Sequence, residues 1–168
     1  MAGVRFDPRV LRDTAPRQRA LYRGTICLVL RRGPRDFHNG AKLTGDLIIE
    51  HGVDDHHVFP QAYLDRQGMV PRLRDCVLNR TLIDRTTNRR ITDRAPTDYM
   101  AQIRTSLGAD TFQGLLRSHL LSGDQESPLW RNDFEGFLAW RQDVLWREIQ
   151  QVTGLTQASD MMLEESAA

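Results

Sequence analysis

Two histidines stand side by side in Asp54-Asp55-His56-His57-Val58-Phe59-Pro60, and two asparagines follow, Asn79 in Leu78-Asn79-Arg80-Thr81-Leu82 and Asn88 in Thr87-Asn88-Arg89-Arg90. These types suit hydrolysis of a phosphodiester. That reaction needs a deprotonated water in line with the leaving oxygen, and positive charge where negative charge gathers on the phosphoryl and leaving oxygens. One imidazole and one divalent ion supply both. Arginines interleaved with the asparagines add cations that pair with phosphate oxygens. Successive side chains of a strand point to opposite faces, so His56 and His57 are expected to do different jobs, one binding a metal and the other facing the attacking water.

The surrounding pattern predicts elements that could hold such a set. Gln18 to Arg32 reads as a helix that stops at Gly33-Pro34, with Ile26–Leu30 also compatible with a strand. Residues 36–45 contain Asn39-Gly40 and Gly45 and read as a turn or surface loop, and Leu47-Ile48-Ile49 as a short strand leading into the histidines. Pro60 to Arg66 suits a helical turn broken by Gly68, Val77 to Ile83 alternates like a strand, and Thr86 or Thr87 caps a helix beginning near Asn88. Past Pro96 the pattern turns helical. Tyr99, Met100, Ile103 and Leu107 share a face, as do Phe112, Leu115, Leu116 and Leu120, and a long helix runs from Asn132 to Val152. Trp130, Trp140 and Trp146 around it read as core rather than as stacking platforms for bases. The expected fold class is α+β, mostly helical: one domain over 1–153, with a hairpin-helix core at about 47–95, helical flanks at 17–32 and 97–153, and a disordered tail at 154–168.

Composition fits this picture, with 168 residues, 40% hydrophobic and 27% charged. The longest apolar run, Ile26–Leu30, is far too short to span a bilayer, and no apolar export segment follows Met1, so a cytoplasmic protein without a membrane partner is expected. Cys27 and Cys76 form no C-x-x-C pair and read as reduced, buried thiols. The net charge of +1 hides two basic stretches: residues 1–35 hold nine Arg against two Asp, and residues 72–94 seven Arg against three Asp. A phosphate backbone is a natural partner for them, although a single Lys among 23 basic residues also suits a GC-rich genome.

The stretch from Asp54 to Asn88 resembles the HNH, or ββα-metal, endonuclease motif, in which a His or Asp next to a His precedes an apolar pair and a Pro, an Asn opens the second strand, and a helix-borne Asn or His completes the metal site. The resemblance implies that His57 is the general base and that His56 and Asn88 bind a divalent metal such as Mg²⁺, Mn²⁺ or another transition ion. Asn79 joins His57 in the catalytic set by holding the loop and the base in place. Arg80, Arg85, Arg89 and Arg90 would contact phosphate. Many family members carry Asp where His56 stands, and an imidazole favours softer ions; Asp55 is then an alternative ligand, or the carboxylate that orients an imidazole. Asp-His-His-Val-Phe-Pro, Asn-Arg-Thr-Leu-Ile, Thr-Asn-Arg-Arg-Ile and Ala95-Pro96-Thr97-Asp98-Tyr99 are similar to the C-terminal nuclease domains of GmrSD-type, modification-dependent restriction and phage-defence enzymes. That likeness covers roughly residues 36–104. It implies DNA as substrate, and a nucleotide-hydrolysing regulatory domain or subunit as partner.

Two other functions are weighed beside the nuclease. One is a DNA-binding module that keeps the fold with little catalysis. The other is a structural zinc domain using His51, His56 and His57 with a cysteine, for which the spacing is poor. His38 and His119 carry no matched spacing and read as ordinary histidines.

Overall fold

The computed structural model describes residues 6–43 and 53–155. These residues form an α+β arrangement, mostly helical, around one two-stranded antiparallel sheet. A 3-10 turn at Pro8–Asp13 precedes helix α1, Arg19–Arg31. Strand β1 is Val53–His57 and strand β2 is Arg80–Asp84; the connection between them carries two short helices, α2 (Gln61–Arg66) and α3 (Pro71–Arg74). Helix α4, Arg85–Ile91, follows β2 without a break. Helices α5 (Pro96–Leu107), α6 (Ala109–Ser118) and α7 (Phe134–Thr153) complete the fold.

One apolar cluster runs from Leu11 to Ile149 and joins the sheet to the flanking helices. Phe59, just past the histidines, is fully buried, with ring centroids 5.2 Å from Phe134 and 5.0 Å from Phe137 of α7. The peptide before it is held twice, since Val58 N donates to Asn79 O at 2.9 Å and Tyr99 Oη donates to Val58 O at 2.5 Å. The end of β1 is thereby fixed from both β2 and α5.

Several elements depart from the sequence expectations for local reasons. Val77–Asn79 is a 3-10 turn and the strand begins only at Arg80; Val77 N is drawn to Thr14 O at 2.7 Å, which takes that residue out of the sheet ladder. The cap of α4 is Asp84 rather than Thr86 or Thr87, because its carboxylate accepts from Thr86 N at 2.7 Å and Thr87 N at 3.4 Å. The helix therefore starts at Arg85, and Asn88 lies within it rather than at its head. Helix α3 was not foreseen; Pro71 at its first position is suited to starting it. Leu120 leaves α6 with φ of 56°. Helix α7 starts at Phe134, where Asp133 caps it through Gly136 N at 2.9 Å. Cys27 is exposed on α1, contrary to expectation, while Cys76 is buried, which pushes its thiol up to about 11. Leu47–Ile49, His51 and the tail from residue 156 lie outside the described residues.

Buried polar groups clamp the sheet to its helix. Asp36, 3% exposed, accepts from Asp84 N at 2.9 Å, Thr87 Oγ1 at 2.8 Å and His38 N at 2.9 Å, so one carboxylate joins the loop after α1 to the start of α4. Arg141 of α7 is fully buried and donates through Nη1 to His119 O at 2.6 Å and to Leu120 O, capping the end of α6. Burial pushes its guanidinium down to about 9. Replacing Asp36 by Ala takes the acceptor from three donors, of which the Thr87 hydroxyl is buried, for an expected stability loss of about 2 kcal/mol. Urea unfolding measures it, and a loss under about 1 kcal/mol would show that the clamp is dispensable.

Candidate active site

β1 and β2 pair with His56 opposite Thr81, His57 opposite Arg80 and Asp55 opposite Leu82. Strand alternation sends His57, Arg80 and Asp55 to one face of this ribbon, and His56 and Thr81 to the other. The two imidazoles consequently live in different media.

His56 faces the dry side. It is 4% exposed, with Phe37 and Tyr99 at its edges, 6.2 and 6.3 Å between ring centroids. Its Nδ1 lies 2.7 Å from Asn88 Oδ1 and donates to it, which leaves Nε2 as a bare lone pair, buried without a partner. Burial drives its pKa down to about 3, against a small opposing pull from Asn88, so the ring is neutral. Beneath it, Thr81 Oγ1 donates to His119 Nδ1 at 2.7 Å, and His119 Nε2 donates to Arg35 O at 2.6 Å. His119, also fully buried, is pushed down to about 4 by the same cause. It is thus a satisfied core histidine, in keeping with the sequence reading.

His57 faces the ionic side. Its side chain is 16% exposed and its Nε2 lies 2.8 Å from Asp75 Oδ1. Burial and the Arg80 guanidinium lower its pKa, while Asp75 pulls the other way. Asp75 is held below the usual carboxylate range chiefly by Arg74, with help from His57 and against partial burial. Asp55 accepts from Tyr22 Oη and sits 3.7 Å from Arg80 Nη1. It shares the His57 face, and neither of those bonds reaches the pair formed by His56 and Asn88.

Asn79 has no exposed surface. Its Oδ1 accepts from Phe59 N at 2.8 Å, and its Nδ2 donates to Phe59 O at 3.1 Å and to Arg74 O at 2.9 Å. With the whole amide committed to backbone, it can position His57 but cannot meet a substrate. The predicted phosphate cations divide. Arg80 is only 11% exposed, lies between Asp55 and Asp75 and donates to Asp55 O at 3.3 Å, so it is a partner of the acids rather than a surface cation. Arg85, Arg89 and Arg90 are exposed on α4, Arg90 bonding to His38 Nε2.

His56, His57 and Asn88 converge on one open cleft of about 420 Å³, lined also by Asp55, Pro60, Gln61, Ala62, Thr92 and Asp93. Packed core does not separate His57 from Asn88. Among the described residues no group of three or more His, Cys, Asp and Glu side chains is arranged to hold a metal ion. His56 Nδ1 and Asn88 Oδ1 lie 2.7 Å apart, close to the ligand spacing of roughly 3 Å in a small metal polyhedron with bonds near 2.1 Å, and could hold an ion between them only if the ring hydrogen moves from Nδ1 to Nε2. The donor set suits an ion that keeps water and substrate oxygens as its remaining ligands. The zinc set of His51, His56, His57 and a cysteine is not assembled among the described residues, where His56 and His57 leave opposite faces of the ribbon.

Neither a family model nor a solved structure matches the chain. An uncharacterized protein of Methanocaldococcus jannaschii is 32% identical over 82 residues, which make up 49% of this chain and 13% of that relative. No helix among the described residues is long and apolar enough to cross a membrane. The sequence reading passed over Asp75, Arg74 and Tyr22; the available signal was an Arg-Asp pair just ahead of the second strand, inside a run that otherwise reads only as basic.

Asn79→Ala strands three backbone groups, so it is expected to cost about 3 kcal/mol and to disorder the end of β1; urea unfolding and exchange of the Phe59 amide check both. For pH, the folded values of His56 and His119, about 3 and about 4, both lie below the ordinary 6.5. The unfolded chain therefore binds more protons, and the stability conferred by neutral burial is complete above pH 6.5 and lost as pH falls toward 4. An unfolded imidazole goes from half to about nine-tenths protonated over this interval, so each group removes ~1 kcal/mol and stability is expected to drop ~2 kcal/mol between pH 6.5 and 5.5. Equal stability at both pH values would contradict this.

Proposed function

We propose that this chain is a metal-dependent endonuclease of the HNH type, hydrolysing DNA phosphodiester bonds, and that β1, β2 and α4 form its ββα-metal core. The observation that carries the reading is the convergence of His57, from one face of the ribbon, and the His56–Asn88 pair, from the other, on a single open cleft. A restriction or anti-phage effector is the setting this resemblance favours. The regulatory nucleotide-hydrolysing partner belongs to the proposal too, and the matched relative is consistent with it in carrying the similar stretch within a much longer chain.

His57 serves as general base and takes a proton from water. His56 and Asn88 would hold the metal, which when bound supplies positive charge beside the scissile phosphate and the departing 3′ oxygen. Burial keeps His56 neutral, so one ring nitrogen is bare, and metal binding beside Asn88 would draw the tautomer with the hydrogen on Nε2. Both protein ligands are uncharged, so the ion's charge is left to be balanced by the phosphodiester and by the Asp55 and Asp93 carboxylates that line the same cleft. Arg85 and Arg89 stand on the same helix as Asn88, where a phosphate backbone lying across the cleft would meet them.

Plasmid nicking with Mg²⁺, Mn²⁺, Co²⁺, Ni²⁺ and Zn²⁺ in turn is the direct test. His57→Ala should reduce kcat by about 10³-fold or more, and a rate within a few-fold of wild type would remove His57 from the base role. Asn88→Ala should raise the metal concentration needed for half-maximal cleavage. Arg89→Ala should lower the slope of log affinity against log salt by about 0.9, the signature of one lost phosphate contact. Salt-dependent DNA binding with no cleavage under any of these metals would favour the binding-module reading.

A further inference from the structure

We infer that Asp75 is a positioning residue for His57: its carboxylate takes the Nε2–H and thereby leaves Nδ1 as the nitrogen that removes a proton from water. The inference rests on the nuclease reading for the role of His57, but its geometry stands independently. Arg74 grips Asp75 on both oxygens, Nε at 3.0 Å from Oδ1 and Nη2 at 2.7 Å from Oδ2, with Arg80 Nη2 3.6 Å from Oδ1. A carboxylate in such a two-pronged pairing is ionised and can only accept. A ring nitrogen meeting it at 2.8 Å must therefore carry the hydrogen, and in the neutral imidazole the other nitrogen is then bare. Nδ1 of His57 makes no hydrogen bond among the described residues, is not among the buried atoms lacking a partner, and belongs to a side chain lining the cleft.

The same loop keeps Asp75 in place. Arg74 is bound through Nη1 to Asp65 at 2.5 Å, and its carbonyl accepts from Asn79 Nδ2 at 2.9 Å. The amide that fixes Phe59, two residues past His57, therefore also fixes the residue next to Asp75. In the reaction, water passes its proton to Nδ1 as its oxygen bonds to phosphorus. The bond from phosphorus to O3′ breaks with its electron pair on O3′, and that oxygen is protonated by solvent. The imidazolium so formed lies against the Asp75 carboxylate, which stabilises it and prevents the ring from flipping.

Long-range proton–nitrogen NMR spectra of histidine-labelled protein, with the His57 signals assigned by their loss in His57→Ala, test the assignment without catalysis. The expected result is a proton on Nε2 in the wild type, and a shift toward Nδ1 or a mixture in Asp75→Asn. A wild-type proton on Nδ1 overturns the inference even if Asp75→Asn does not fold. In the cleavage assay Asp75→Asn should lower kcat by about 10²–10⁴-fold while KM for DNA stays within a few-fold. An unchanged kcat, or a change in KM alone, also overturns it. If the wild type cleaves nothing with any metal, the nuclease reading fails, while the tautomer still decides whether Asp75 orients His57.

Discussion

The carboxamide of Asn79 is the constraint on which the arrangement depends. Twenty-two residues separate His57 from Arg80, a long excursion for two strands that must pair side by side. Closing such a connection costs entropy that a pair of five-residue strands cannot offset alone. Asn79 closes it locally, holding both backbone groups of Phe59 at one end and the Arg74 carbonyl at the other. Burial strengthens the arrangement, because water cannot compete for the amide, and each bond lost would leave a peptide group stranded in the core.

From that fixed point the ribbon separates two electrostatic environments a single residue apart. On one face, Phe37 and Tyr99 surround a neutral ring, and the polar chain from Thr81 through His119 to the Arg35 carbonyl is closed without any formal charge. On the other face, Arg74, Asp75, Arg80 and Asp55 bring compensating charges around His57, so that no single ion is left without an opposite nearby. A proton acceptor needs surroundings that tolerate both of its charge states, and a metal donor needs its lone pair free of protons. On the proposed nuclease reading the two faces would meet these opposite needs, and the cleft is where side chains from both faces come together.

Much of this was legible from residue order because it depends on local rules. The strand expected at Val77 to Ile83, observed over Arg80–Asp84, the helix ending near Gly33-Pro34 and the helical periodicity after Pro96 each follow from side-chain spacing. The separation of His56 from His57 follows from strand geometry alone. What stayed hidden depends on contacts between distant segments. Val77 reads as strand because it is apolar and β-branched, yet Thr14, far upstream, diverts its N–H. Arg80 reads as a surface cation until Asp55 and Asp75 close around it. Asp84 was overlooked as a cap because it also ends a strand, and only the direct passage from β2 into α4 reveals that one residue does both.

That direct passage restricts how the chain can vary in length. Asp84 starts α4 three positions before Thr87, whose burial with Ile91 orients the helix against the sheet. Each added or deleted residue between Asp84 and Asn88 would rotate the carboxamide by about 100° around the helix axis and carry it away from His56. The excursion between the strands is under no such rule at the bend around Gly68, where Gln67 and Gly68 are exposed, whereas Leu64 of α2 is fully buried. Natural insertions and deletions should therefore gather at the bend from Gln67 to Val70, while the interval from Asn79 to Asn88 keeps one length wherever this arrangement is retained.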